Sequence, residues 1–198
     1  IISGVMSYAG PEFNLNDIQS GWVVSSPSFA AMIAMIFSGR LSDIVGRKKI
    51  LVVVAFLYAV SALLSAYAIS YEMLYIARMI GGLAFGAASV LAPTYIAEIS
   101  TAENRGKLVS IQQLNIVLGF FAAFLSNYYF NKYNTSGDSF FTDENVWRWM
   151  LGVELIPAVL YFIFLFFIPK SPRWLFTKNR NEEFKKDVLD FQMEGNHW

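Results

Sequence analysis

Apolar residues run in long stretches along this chain, and the charged residues fall between those stretches rather than along them. A bilayer core of about 30 Å needs roughly 20 helical residues to cross it. Five stretches meet that length, at about 21–38, 50–70, 74–97, 107–130 and 147–168. Residues 1–8 read as the tail of a further crossing. Lipid offers no partner to an unpaired amide or carbonyl, so every run is predicted to be helical. The pattern predicts an all-α polytopic membrane protein with five full crossings and the remnant of a first. The chain opens on Ile1 inside an apolar phrase and closes on Gly195-Asn196-His197-Trp198, and it reads as truncated at both ends.

The polar punctuation carries more information than the runs. Between the second and third crossings lies Gly39-Arg40-Leu41-Ser42-Asp43-Ile44-Val45-Gly46-Arg47-Lys48-Lys49. Two glycines, an aspartate and a basic cluster at a tight interhelical turn suit a protein that rocks two helical bundles past each other. This points to one half of a secondary transporter. Arg40, Arg47, Lys48 and Lys49 share one side of the membrane with Arg105 and Lys107, and with Lys170, Arg173, Lys178, Arg180, Lys185 and Lys186 after the last crossing. The other side has Lys132 and Arg148 among Glu12, Asp17, Glu72, Asp138, Asp143 and Glu144. The basic side is predicted to be cytoplasmic, in the cell's inner or plasma membrane, with the 2–3 and 4–5 loops and the C-terminal segment inside. Residues 131–146 read as an outer loop rich in turn formers, with a formal glycosylation triplet at Asn134-Thr135-Ser136. Residues 171–198 read as the start of a cytoplasmic linker. Within it, Phe184, Val188 and Phe191 share one face of a short amphipathic helix over about 181–194.

Apolar residues make up 56% of the chain, and its 15 basic side chains are cancelled by 15 acidic ones, so charge predicts no nucleic-acid partner. There is no cysteine, which removes disulfides, thiol catalysis and thiolate metal sites. The single histidine, His197, sits at the polar terminus and is assigned no metal or catalytic role. With no histidine–metal cluster and no nucleophile–base pairing, no enzyme and no cofactor is expected.

Charge inside a crossing costs at least ~2.5 kcal/mol per group on insertion scales, so each instance needs a partner or a task. Arg78 lies about one turn into the fourth crossing, ahead of Gly81-Gly82 and Gly86, whose small side chains permit close helix approach. It either snorkels to the surface or pairs within the bundle. Glu154 lies at similar depth in the sixth crossing, and opposite charges at matched depth favour a pair. A carboxylate beside arginine can exchange a proton when a conformational change alters its solvation, which is what proton coupling requires. Gln113, with Asn115 nearby, places an amide among apolar residues of the fifth crossing. It suits a neutral polyhydroxyl ligand or an interhelical hydrogen bond equally. At the basic edge, Glu98, Asp43, Arg47 and Arg105 bring carboxylates and guanidiniums to neighbouring helix ends, where charge-assisted pairs can hold one conformation closed.

Taken in order, these phrases resemble the sugar porter family of the major facilitator superfamily. The matches are Gly39-Arg40-x-x-Asp43-x-x-Gly46-Arg47-Lys48, Arg78-x-x-Gly81-Gly82, Pro93-x-Tyr95-Ile96-Ala97-Glu98, Arg105-Gly106, Gln112-Gln113, Trp147-Arg148 and Pro169-x-Ser171-Pro172-Arg173, spread over nearly the whole chain. The likeness is to the amino-terminal half of bacterial xylose or sugar–proton symporters and glucose facilitators. It implies a twelve-helix transporter of which this is the first six-helix bundle, with the second half, the lipid bilayer and a monosaccharide or polyol as partners. It also implies alternating access around a shared midplane site. By position, Gln113 corresponds to the sugar-binding glutamine, and Arg78 and Glu154 to members of the proton-coupling network. Gly39, Asp43, Gly46, Arg47, Glu98, Arg105 and Arg173 correspond to the cytoplasmic gate. Facilitators carry an apolar residue where this chain has Glu154, so the resemblance favours proton symport over uniport. Three positions depart from the pattern. The coupling aspartate of the first helix would precede Ile1. Phe120 replaces a second glutamine, which argues against xylose. Lys170 replaces a glutamate and reverses one charge of the gate.

Overall fold

A computed structural model describes residues 2–135, 142, 145–169 and 171. Lys170, residues 172–198 of the predicted linker (with Arg173 and the 181–194 segment) and Ser136 of the glycosylation triplet lie outside these residues. In chain order the helices are α1 (Ile2–Glu12), α2 (Asp17–Val45), α3 (Arg47–Ala66), α4 (Tyr71–Ile99), α5 (Arg105–Thr135), α6 (Val146–Gly152) and α7 (Leu155–Phe167). Counting α6 and α7 as one span, five are long and apolar enough to cross a membrane among the described residues.

Local chemistry sets the ends of these helices. Asn16 caps α2, accepting from the Gln19 amide at 2.8 Å while the Gln19 side chain accepts from the Asn16 amide at 3.1 Å. The Ser70 hydroxyl caps α4 through the Met73 amide. Between α3 and α4 the apolar run continues through Tyr67-Ala68-Ile69, but the helix stops at Ala66, the Tyr67 amide closing its last turn on the Leu63 carbonyl, and Ala68 beyond it is fully buried. The charged phrase expected to be an interhelical loop is instead mostly the last two turns of α2. The reversal is made at Gly46 alone, with φ 105° and ψ 140°, a backbone region open essentially to glycine.

The sixth crossing is interrupted at Val153-Glu154. Pro157 has no amide hydrogen to return to the Val153 carbonyl. That carbonyl instead accepts from the Ile156 amide at 3.2 Å, and the Glu154 amide bonds to Leu151 at 3.2 Å, so a tighter turn separates α6 from α7. Pro27, inside α2, strands the Val23 carbonyl in the same way, and the Ser26 hydroxyl lies 3.4 Å from it. In lipid such side-chain partners are what make an interior proline tolerable.

α2 and α4 form the closest helix contact. A Cβ added to Gly82 would lie 2.2 Å from the Pro27 carbonyl oxygen, and one on Gly86 would lie 2.3 Å from that of Ala31. The glycines let the two backbones touch. α3 packs on the other side of α4, where the Ser61 hydroxyl donates to the Ala77 carbonyl at 2.8 Å. One buried cluster joins Val5, Val23, Leu74, Trp147, Met150 and Leu151; another joins Leu51, Val54, Ala84, Leu91, Tyr95 and Leu165. Over residues 105–134 of α5 none is buried, and Leu114, Phe121 and Phe124 are more than half exposed. Such a face is stable in a bilayer, where lipid tails are as apolar as leucine.

Candidate functional site

Along α3, α4 and α6–α7 the residues between the two clusters line a cavity of about 440 Å³. Its walls are Val24, Pro27 and Ser28 of α2, Tyr58, Ser61 and Ala62 of α3, and Arg78, Gly81, Gly82 and Phe85 of α4. Phe120 of α5, Glu154 and Ala158 close it. Arg78 lies about two turns into α4, because the helix begins earlier than the hydropathy suggests. Rather than snorkelling, it faces Glu154, with Nη1 3.7 Å from Oε2. A charge-assisted hydrogen bond runs to about 2.7–2.9 Å, so this is an ion pair held slightly apart. The Arg78 Nε is buried and has no acceptor among the described residues. Glu154 reaches the cavity from the interruption of the sixth crossing rather than from a continuous helix.

Gln113 is not on the cavity wall. It is exposed on α5 and makes no side-chain hydrogen bond among the described residues. Seven residues separate it from Phe120, so both lie on one stripe of α5, about 10 Å apart along the axis.

A second cluster occupies the end of the bundle where α2 meets α3. Arg47 spreads its guanidinium over three acceptors. Nη2 lies 2.5 Å from Asp43, Nε 3.1 Å from Glu98, and Nη1 donates to the Ser42 carbonyl at 3.2 Å. Glu98 is almost fully buried, and its second oxygen accepts from the Ser171 hydroxyl. Lys48 donates to the Phe166 carbonyl at 3.0 Å and Tyr95 to that of Pro169 at 2.7 Å. The end of the sixth crossing is thereby tied to α3 and α4. Arg105 stands exposed at the start of α5 and makes no ion pair among the described residues. A side chain on Gly39 would meet nothing within 4 Å. Arg173 lies outside the described residues.

At the opposite end, Arg148 donates to the Ala68 carbonyl at 2.6 Å and to Glu12 at 2.8 Å, and stacks 4.4 Å from the centre of the Trp147 ring. The Trp147 indole donates to the other Glu12 oxygen. Sequence reading counted Glu12 only as a topology marker, and Arg148 as a topology marker and part of the Trp147-Arg148 family match, without pairing the two. It also passed over Tyr58 and Ser61, which lie in the uncharged stretch of α3 after Lys49.

The described residues form a helical bundle of five membrane-length apolar spans with an ion pair facing a cavity within them, the architecture of a polytopic membrane protein. The profile of the family described as "Sugar (and other) transporter" matches residues 5–195, and the chain belongs to that family. It is 41% identical over 189 residues to the galactose-proton symporter of Escherichia coli (strain K12), covering 96% of this chain and 38% of that protein. Over 190 residues it is 38% identical to the D-xylose transporter of Levilactobacillus brevis, covering 96% of this chain and 39% of the relative. The xylose transporter XylE from E. coli, in a partially occluded inward open conformation, superposes with a TM-score of 0.85 at 30% identity. That match takes in 96% of this chain and 50% of XylE. The chain spans half or less of the length of these relatives. It corresponds to the amino-terminal half of a major facilitator superfamily transporter.

Proposed function

We propose that this bundle, with a second helical half, forms a symporter that takes up a neutral monosaccharide or polyol together with a proton. The observation that carries the reading is the Arg78–Glu154 pair facing a cavity within the membrane spans. A carboxylate there reports the state of the bundle, because opening the cavity to one side or the other changes its solvation and hence its hold on a proton. The names of the relatives support the substrate class: galactose, arabinose and D-xylose carriers all match along nearly the whole chain.

Gln113 is the proposed substrate contact. Its place on an exposed stripe of α5 suits a ligand held between two bundles rather than inside one. The cluster around Arg47 and Glu98 is proposed as the cytoplasmic gate, with Gly46 as its pivot and Asp43 at its rim. Arg105, Arg173 and Gly39 join it in the state where the second half closes on this end. The basic loops then face the cytoplasm of the cell in whose inner or plasma membrane the protein sits. Uniport of the same sugars is the alternative, and Glu154 separates the two.

The test is Glu154→Gln in the full-length transporter, reconstituted in vesicles. Proton-driven accumulation of D-galactose is expected to fall to the equilibrium level, while exchange of labelled for unlabelled sugar persists. Undiminished accumulation removes Glu154 from coupling.

A further inference from the structure

A second cavity, of about 270 Å³, opens between α1, α5 and Met150 of α6. Its polar walls are Ser7 and Tyr8 of α1 and Asn127, Tyr128 and Asn131 of α5. None carries a charge. Two amides, two phenols and a hydroxyl present neutral donors and acceptors beside aromatic rings, which is the chemistry that meets the hydroxyls and C–H faces of a sugar. Pockets for drug-sized ligands run to about 300–1,000 Å³, so the space fits a single ring rather than a glycosyl chain.

The walls are held in place. The Tyr8 hydroxyl donates to the Asn131 side-chain oxygen. A Cβ on Gly4 would come within 3.1 Å of the Asn127 amide nitrogen, so the missing side chain leaves Asn127 its position. Asn127 also lies two turns beyond Phe120 on the same stripe of α5, about 10 Å along the axis. One face of one helix therefore joins this pocket to the central cavity and, beyond it, to Gln113.

We propose that this pocket is a second, outer sugar site, where a neutral monosaccharide or polyol docks before passing along α5 to the central cavity. The proposal rests on the sugar-transport reading and adds to it a site at the end remote from the Arg47 cluster.

Equilibrium binding of radiolabelled D-galactose to the full-length transporter tests it. Two classes of site are expected. Asn131→Leu and Tyr128→Leu, both at exposed positions of α5, should each remove or weaken the outer class by about fivefold or more, the loss of one net hydrogen bond. Gln113→Ala should weaken the other class alone. A single class in the wild type, sensitive to Gln113→Ala only, overturns the outer site and leaves the transport reading standing. Loss of both classes together with a lowered melting temperature in both α5 variants shows that the cluster merely pins α1 to α5, and also overturns it. If D-galactose neither binds to nor accumulates through the wild type, the sugar-transport reading falls and takes the outer site with it.

Discussion

Gly82→Ala is expected to destabilise the bundle by about 3 kcal/mol, the upper end for forcing one extra carbon into a packed interior. The added methyl would sit 2.2 Å from the Pro27 oxygen and 2.6 Å from its Cα, so the clash is with backbone rather than with a side chain that could rotate away. α2 and α4 must separate or slide, and the cavity lined by both helices changes with them. Gly119→Ala in α5 is the control, since nothing lies within 4 Å of its Cβ. It should be neutral or stabilising by up to about 1 kcal/mol, through helix propensity alone. Thermal unfolding of the detergent-purified protein reads both. Equal melting temperatures for Gly82→Ala and wild type would mean that the two backbones do not touch.

Arg47→Ala is expected to cost about 3–5 kcal/mol, because it strands a buried carboxylate. The Glu98 side chain is 6% exposed and, among the described residues, would keep the Ser171 hydroxyl alone, while Asp43, at 63%, would turn to water at little cost. Arg47→Lys should recover only part of the loss, since a single ammonium cannot reach three acceptors set around a planar fork. Adding Glu98→Gln to Arg47→Ala should restore much of the stability by removing the stranded charge. If the double variant is as unstable as the sum of the single ones, Glu98 and Arg47 are not partners in the folded state.

Run length and the demand of lipid for satisfied backbone made the crossings legible, and matched depth made the Arg78–Glu154 pair legible before any coordinate. Gly82 and Gly86 were legible as a close approach because spacing by four places both on one helix face. Other features were hidden by the same apolar richness. Pro157 sits in a run so hydrophobic that its effect, the break that presents Glu154, does not disturb the hydropathy. The phrase from Arg40 to Val45 looks like a loop by charge, yet nothing in it opposes helix, and the chain reverses only where Gly46 allows positive φ. Gln113 was ambiguous for a physical reason. A helix apolar on nearly every side shows no preferred face, so sequence cannot say which stripe looks inward. The Glu12–Arg148 contact joins segments 136 residues apart, beyond the reach of any local pattern.

The account rests on sugar and proton crossing together. The most direct measurement is the pH of a lightly buffered medium when D-galactose is added to de-energised cells expressing the full-length transporter. Symport predicts an alkaline deflection with the wild type, as protons leave the medium with the sugar, and none with Glu154→Gln. Sugar entry with no change in pH would contradict it and assign the protein to uniport.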